Sequence, residues 1–237
     1  MTDIRAILFD LDNTLVDRQA SIRRYAEAFH REFGHALPSV SVDLLAERLV
    51  RADQGGYRDK QDMSRTISGW AEWESAFDVV QFERHWMWEF PAHAVAMDDM
   101  RATLETLAAR GMTLGIITNG SARAQNGKIM ALHLWRHCPV ILVSESCGLR
   151  KPDPKIFALA LKQLGLSAGQ VCFVGDHPEA DIMAAERAGL TGIWRAGFHP
   201  WPQNHPQPAF QVQRLSEVPD LVLRIGAADN GVHSKRG

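Results

Sequence analysis

Cysteine is scarce in this chain of 237 residues. The three present, Cys138, Cys147 and Cys172, are odd in number and form no CxxC pair. That spacing suggests neither a disulfide framework nor a zinc cluster, and a reducing cytoplasm is the expected setting. Net charge is also nearly absent: 26 Lys and Arg against 28 Asp and Glu leave −2. No electrostatic footprint for nucleic acid or an anionic membrane follows from it, so a small solute is the expected partner. No apolar run approaches the roughly 18 residues of a membrane span, and no basic, apolar, small-residue leader precedes the first strand. Internal repeats and low-complexity segments are missing as well. A soluble, unprocessed protein is expected, and nothing indicates its oligomeric state. What is present, 46% hydrophobic and 23% charged residues, suffices to bury one large domain or one domain carrying an insertion.

Short apolar runs rich in β-branched residues stand at Ala6 to Phe9, Thr113 to Ile117, Val140 to Val143, Val171 to Val174 and Thr191 to Trp194. Their near-continuous hydrophobicity suits strands covered on both faces, which means a parallel sheet. Helical stretches lie between them: Met97 to Arg110 before Gly111, Pro154 to Leu164 before Gly165, and Ala180 to Ala188 before Gly189. Glycine in those places suits left-handed helix caps. Alternating strands and helices joined by right-handed crossovers give an α/β fold with a doubly wound parallel sheet, whose ligand crevice lies at the carboxyl ends of the strands.

From about Asp17 to Phe90 the alternation stops. Helical periodicities take over: Ile22, Tyr25, Ala26 and Phe29; Leu44, Leu45 and Leu49; Trp70, Trp73 and Phe77; Phe82, Trp86 and Phe90. An inserted helical domain over residues 17–91 is expected, with residues 1–16 and 92–229 forming the sheet domain. Prolines crowd residues 200–208 before a last strand at Phe210 to Val212 and a helix near Val218 to Ile225. Residues 230–237 are expected to form a disordered tail.

The stretch AILFDLDNTLV, residues 6–16, ends a buried strand with Asp10 and Asp12. Side chains two apart share a side of a strand, so both can point into the crevice. Two carboxylates so placed repel each other unless a cation sits near them, and oxygen-rich sites suit Mg²⁺. The plain alternative is a turn cap beside a solvated aspartate, and this stretch alone favours neither. After the second strand come Thr118, Asn119, Gly120 and Ser121, either a phosphate cradle or an ordinary helix cap. Alone, the cap reading is favoured. GLRKPDPK places Lys151 at a helix start, where its point charge can neutralise a phosphoryl oxygen or simply meet solvent. GDHPEAD places Asp176 and Asp181 after the fourth strand, and Asp181 also suits a helix's first turn.

All four signals fall at the same edge of one sheet. In this order, FDLDNTL, IITNG, RKPDP and VGDHPEAD resemble the motifs of the haloacid dehalogenase superfamily across residues 5–195. The resemblance implies a Rossmannoid core with an inserted helical cap. It is similar in detail to small-metabolite phosphatases, including those acting on N-acylneuraminate phosphate, flavin mononucleotide or pyrimidine nucleotides. It implies Asp10 as nucleophile forming an aspartyl-phosphate, and Asp12 as general acid and base. Mg²⁺ would be held by Asp10, the Asp12 main-chain carbonyl, Asp176 and Asp181. Thr118, Asn119, Gly120 and Lys151 would bind the substrate phosphate. The partner implied is a small phosphorylated metabolite. A 2-haloacid dehalogenase of the same fold is the alternative, but such enzymes lack the second acid, because halide leaves without a proton. A phosphomutase shares these residues. A non-catalytic binding module would be marked by loss of a core residue, and none is lost.

Other features point to packing. His133 and His137 are spaced four apart on an expected helix, but Leu134 stands where HExxH needs glutamate. His177 is expected to be an exposed loop residue bordering the site. Trp70, Trp73, Phe77, Trp86 and Phe90 are expected in the cap core, which leaves Trp88 as the candidate substrate platform. Gln54 to Asp59, QGGYRD, is expected to turn between helices and to bring Tyr57 or Arg58 to the leaving group.

Overall fold

The computed structural model describes residues 3–232. Six strands form one parallel sheet: β1 (Ala6–Phe9), β2 (Thr113–Thr118), β3 (Val140–Val143), β4 (Val171–Gly175), β5 (Thr191–Arg195) and β6 (Gln211–Val212). Their order is β3-β2-β1-β4-β5-β6. β1 is wholly buried, as its unbroken apolar run requires. Ala6 pairs with Thr113 on one side and Val171 on the other, and Phe9 with Ile116 and Val174. The carboxyl ends of β1 and β4 are therefore level. Strand order reverses between them, and such a switch point opens a crevice for ligand.

The chain divides into two compact units. One runs up to Leu15, resumes over Met97–Ala122 and again from His133 onward; the other comprises Val16–Ala96 with Arg123–Leu132. In the sheet unit, β1 and β4 pack through Leu8 and Phe173 against Ile156, Phe157 and Ala160 of the helix Pro154–Leu164, with Phe157 edge-on to Phe173 at 5.2 Å. Gly165 and Gly189 follow their helices with φ of 66° and 84°, the left-handed conformation that glycine adopts without steric cost. The helix expected over 97–110 is α5 (Met100–Ala109), because the Met97 N–H bonds to the Leu15 carbonyl. The one expected over 180–188 opens instead with a π-turn, Pro178–Met183, before a short α-helix, Ala184–Arg187. His177 causes this: its Nδ1 accepts from the N–H groups of Glu179 and Ala180, and its carbonyl accepts from Asp181 and Ile182. The last helix is Val218–Val232, so residues 230–232 continue it where a tail was expected. The rest of that expected tail lies outside the described residues.

The helical unit contains α1 (Arg18–Phe33), α2 (Val42–Asp53), α3 (Lys60–Ser68) and α4 (Val79–Glu89). Asp17, Ser41, Asp59 and Asp78 cap them by accepting first-turn N–H groups. Ile22, Tyr25, Ala26, Phe29, Leu45, Leu49, Phe82, Trp86 and Phe90 form its core, while Leu44 is exposed. Trp70, Trp73 and Phe77 do not lie on a helix. The Trp73 indole N–H donates to the Ile67 carbonyl at 2.7 Å and its ring stacks on Trp70, so ring packing orders an irregular segment. The unit reaches beyond the expected 17–91 and takes in most of α6 (Ala122–Ala131). Gly127 lets that helix lie against Pro91, since a Cβ there would be 2.6 Å from the Pro91 ring. Helix α6 ends before His133, which turns left-handed at φ 55°, so His133 and His137 do not share a helix face. Among the described residues no helix is long and apolar enough to cross a membrane.

Candidate active site

β1 delivers Asp10 to the switch point, and the Asp10 N–H is tied to the Val174 carbonyl of β4 at 2.8 Å. The motif residues meet there across long stretches of sequence. Lys151 Nζ lies 2.6 Å from Asp10 Oδ1 and 2.6 Å from Asp181 Oδ1, with all three side chains buried. Ligand oxygens of Asp10, Asp176 and Asp181 lie within 4.8 Å of one another. Gly175 makes this approach feasible, because a Cβ there would stand 2.5 Å from Asp181 Oδ2. The π-turn holds Asp181 in place, with its Oδ2 accepting the His177 N–H at 3.0 Å.

Thr118, at the end of β2, is buried. The Asn119 side-chain amide grips the main chain of Lys151, accepting from its N–H at 2.9 Å and donating to its carbonyl at 2.8 Å. The Gly120 N–H donates to Ser144 Oγ at 3.0 Å. Asp12 stands outside the carboxylate trio and is only half-buried, though its charge is felt at Asp10.

Three residues of the site had no role in the sequence reading. Asn13 is left-handed at φ 59° and donates from Nδ2 to Asp176 Oδ2 at 3.2 Å. The signal was there, since asparagine tolerates that conformation better than other residues with side chains. Thr14 Oγ1 lies 3.5 Å from Asp10 Oδ2, and the Trp194 indole N–H donates to the Asp176 carbonyl at 3.0 Å.

Burial pushes the Asp10 carboxyl up to about 7 against the pull of Lys151, and the charges of Asp181 and Asp12 add to the rise. Burial also works against the Lys151 ammonium, but Asp10 and Asp181 outweigh it and hold its pKa above the usual lysine range. Two buried carboxylates thus share one ammonium, and a third, Asp176, lies in the same cluster. All the donors are hard oxygens, an arrangement that a small divalent cation fits and an unpaired anion does not. The same ammonium is a point charge of the kind that suits an oxyanion, and Thr118 ends the strand beside β1.

A family profile described as haloacid dehalogenase-like hydrolase matches residues 4–189. The chain is 29% identical over 236 residues to glyceraldehyde 3-phosphate phosphatase of Methanopyrus kandleri, covering 94% of this chain and 98% of that one. It is 26% identical over 244 residues to mouse (Mus musculus) N-acylneuraminate-9-phosphatase, covering 95% and 96%. It spans about half the length of phosphoserine phosphatase of Thermus thermophilus, 33% identical over 121 residues, which cover 51% of this chain and 48% of that one. Among solved structures it resembles magnesium-bound YfnB of Bacillus subtilis, a HAD-hydrolase, with TM-score 0.72 at 23% identity over 93% of this chain and 99% of that one. It also resembles 2-haloacid dehalogenase of Pseudomonas syringae, with TM-score 0.63 at 28% identity over 93% and 99%. A profile match over most of the chain, on a sheet that carries the motifs at its strand ends, makes this chain a member of the haloacid dehalogenase-like hydrolases.

Proposed function

We propose that this hydrolase cleaves a small phosphorylated metabolite, with Asp10 as nucleophile and Asp12 as general acid and base. The observation that carries the reading is the buried Asp10–Lys151–Asp181 cluster beside Asp176 at the switch point of the sheet. An Asp10 carboxylate oxygen forms a bond to phosphorus while the bond from phosphorus to the leaving oxygen breaks. Asp12 gives its proton to that oxygen. Water then attacks the aspartyl-phosphate, Asp12 takes the water's proton, and Asp10 is released with inorganic phosphate. Lys151 and Thr118 bind the phosphoryl oxygens throughout, and Lys151 is held for this by Asn119. Asp10, Asp176, Asp181 and the Asp12 carbonyl would hold Mg²⁺, whose charge offsets carboxylate repulsion when it is bound. The helical unit serves in this reading as a cap that selects the leaving group.

The relatives named above act on phosphate esters of different small molecules, which supports the class of substrate without choosing one. The dehalogenase likeness supports a second reading, halide displacement by Asp10. Asp12 weighs against it, since a departing halide takes no proton.

Release of phosphate from p-nitrophenyl phosphate, with and without Mg²⁺, tests the proposal alongside chloride release from 2-chloropropionate. Hydrolysis should need Mg²⁺ and fall by at least ~10³-fold in Asp10→Asn. Full hydrolysis by that variant would remove Asp10 as nucleophile, and chloride release without phosphate release would favour the dehalogenase.

A further inference from the structure

Thr118 ends β2, and the loop that follows it leads into α6. The register that pairs Thr118 with Val143 brings Ser144, the residue after β3, alongside it. Ser144 Oγ accepts the Gly120 N–H at 3.0 Å and lies 3.2 Å from the Gly120 carbonyl, to which it donates. One hydroxyl thus fastens both main-chain groups of a single residue. Gly120 has φ 146°, a conformation that side-chain-bearing residues rarely adopt, so the chain bends sharply at the fastened point. Glu145 Oε2 accepts the Ala122 N–H, the first of α6, at 2.7 Å, a charge-assisted bond at the positive end of the helix. Counting the Asn119 grip on Lys151, the loop is held at residues 119, 120 and 122 from two neighbouring segments.

We infer that Ser144 and Glu145 are positioning residues for phosphoryl transfer, fixing the loop so that Thr118 and Lys151 meet the equatorial oxygens together. The inference rests on the phosphatase reading. Neither side chain is placed to touch the reacting atoms; both act through the backbone of residues 119–122. Sub-ångström misplacement of such donors is enough to slow a reaction without loss of the fold.

Two measurements on the full chain test this. Exchange of the Gly120 and Ala122 amide hydrogens, followed by NMR, reads the clamp without reference to activity. Ser144→Ala should speed exchange at Gly120, and Glu145→Ala at Ala122, each by about tenfold or more, as expected when one hydrogen bond is lost. Steady-state hydrolysis of p-nitrophenyl phosphate then reads the consequence. In both alanine variants kcat should fall by about ten- to a hundredfold with KM changed less than threefold, while Ser144→Thr and Glu145→Gln, which keep an acceptor in place, stay within about threefold of wild type. Unchanged exchange in folded alanine variants would overturn the clamp. Faster exchange with unchanged kcat, or no rescue by the conservative variants, would overturn the positioning role. A wild type that clamps the loop yet hydrolyses no phosphate ester would overturn the phosphatase reading and, with it, the role in phosphoryl transfer.

Discussion

Asp10 is held at a cost that one titration should expose. Its carboxyl is raised from 3.8 to about 7, so the folded protein binds that proton more tightly than the unfolded chain does. For such a group, stability falls as pH rises between the two values, from about 4 towards 7. Lys151 has the same sign in a higher window: its raised pKa contributes stability that is fully present below the unfolded lysine value of 10.5 and lost only as pH rises above it. In the range between, the strain of burying an ionised Asp10 among Asp181 and Asp12 dominates. Asp10→Asn removes that charge and leaves Lys151 paired with Asp181 at 2.6 Å. Without divalent metal at pH 7.5, the variant should therefore melt at least ~3 °C above wild type, the shift that about 1 kcal/mol gives in a chain of this size. The difference should vanish near pH 4. Added Mg²⁺ should reverse the order by stabilising wild type more than the variant, through binding to the native state alone. Equal melting temperatures at both pH values would mean that the carboxylates at this site are not in conflict.

Among the elements, the helical unit depends on one ion pair that its sequence pattern does not reveal. Arg18, in the first turn of α1, donates from Nε and Nη2 to the two carboxylate oxygens of Asp53, the last residue of α2, at 2.7 Å each. Both residues are buried, and Gly56 is glycine because a Cβ there would sit 2.6 Å from Arg18 Nε. This explains one of the paired glycines in QGGYRD, where the guanidinium of Arg58 turns back to the Ala52 carbonyl. Burial alone would raise the Asp53 carboxyl, but Arg18 with its hydrogen bonds, and then Lys60, hold it below its usual 3.8. A lowered carboxyl contributes stability above the unfolded value and loses it as pH falls through the folded one. Asp53→Ala leaves Arg18 buried without its counter-ion and should cost about 3–5 kcal/mol at pH 7, measured by urea unfolding. The gap to wild type should narrow below about pH 4, and equal stability at neutral pH would refute the role of the pair. Sequence reading gave no access to this pair, because two residues 35 apart carry no periodic signal. The first five strands were legible because each is a nearly continuous apolar run, and the motif aspartates because they fall at the ends of those runs. Trp70 to Phe77 misled for the converse reason: aromatic spacing resembles a helical stripe whether helix or ring packing orders it. The π-turn after β4 was hidden because it depends on a histidine ring accepting main-chain N–H groups, a local geometry with no periodicity.

At the scale of the molecule, crossover connections and level strand ends bring residues 10, 151, 176 and 181 to one point. The sheet order alone would serve a dehalogenase as well as a phosphatase, so the difference between them falls on Asp12, half-buried beside the cluster. If Asp12 moves protons, its removal should affect the two halves of the reaction differently. p-Nitrophenolate departs without a proton, so Asp12→Asn should still transfer the phosphoryl group from p-nitrophenyl phosphate to Asp10. Hydrolysis of the intermediate requires a base for the attacking water, and that step should slow by about 10²–10⁴-fold. Rapid mixing should then show a burst of p-nitrophenolate close to one equivalent of enzyme, with phosphate retained on acid-quenched protein. An alkyl phosphate, whose leaving oxygen needs a proton, should give no burst with the same variant. Steady turnover within tenfold of wild type on both substrates would show that Asp12 moves no proton, and the case against halide displacement would lose its basis.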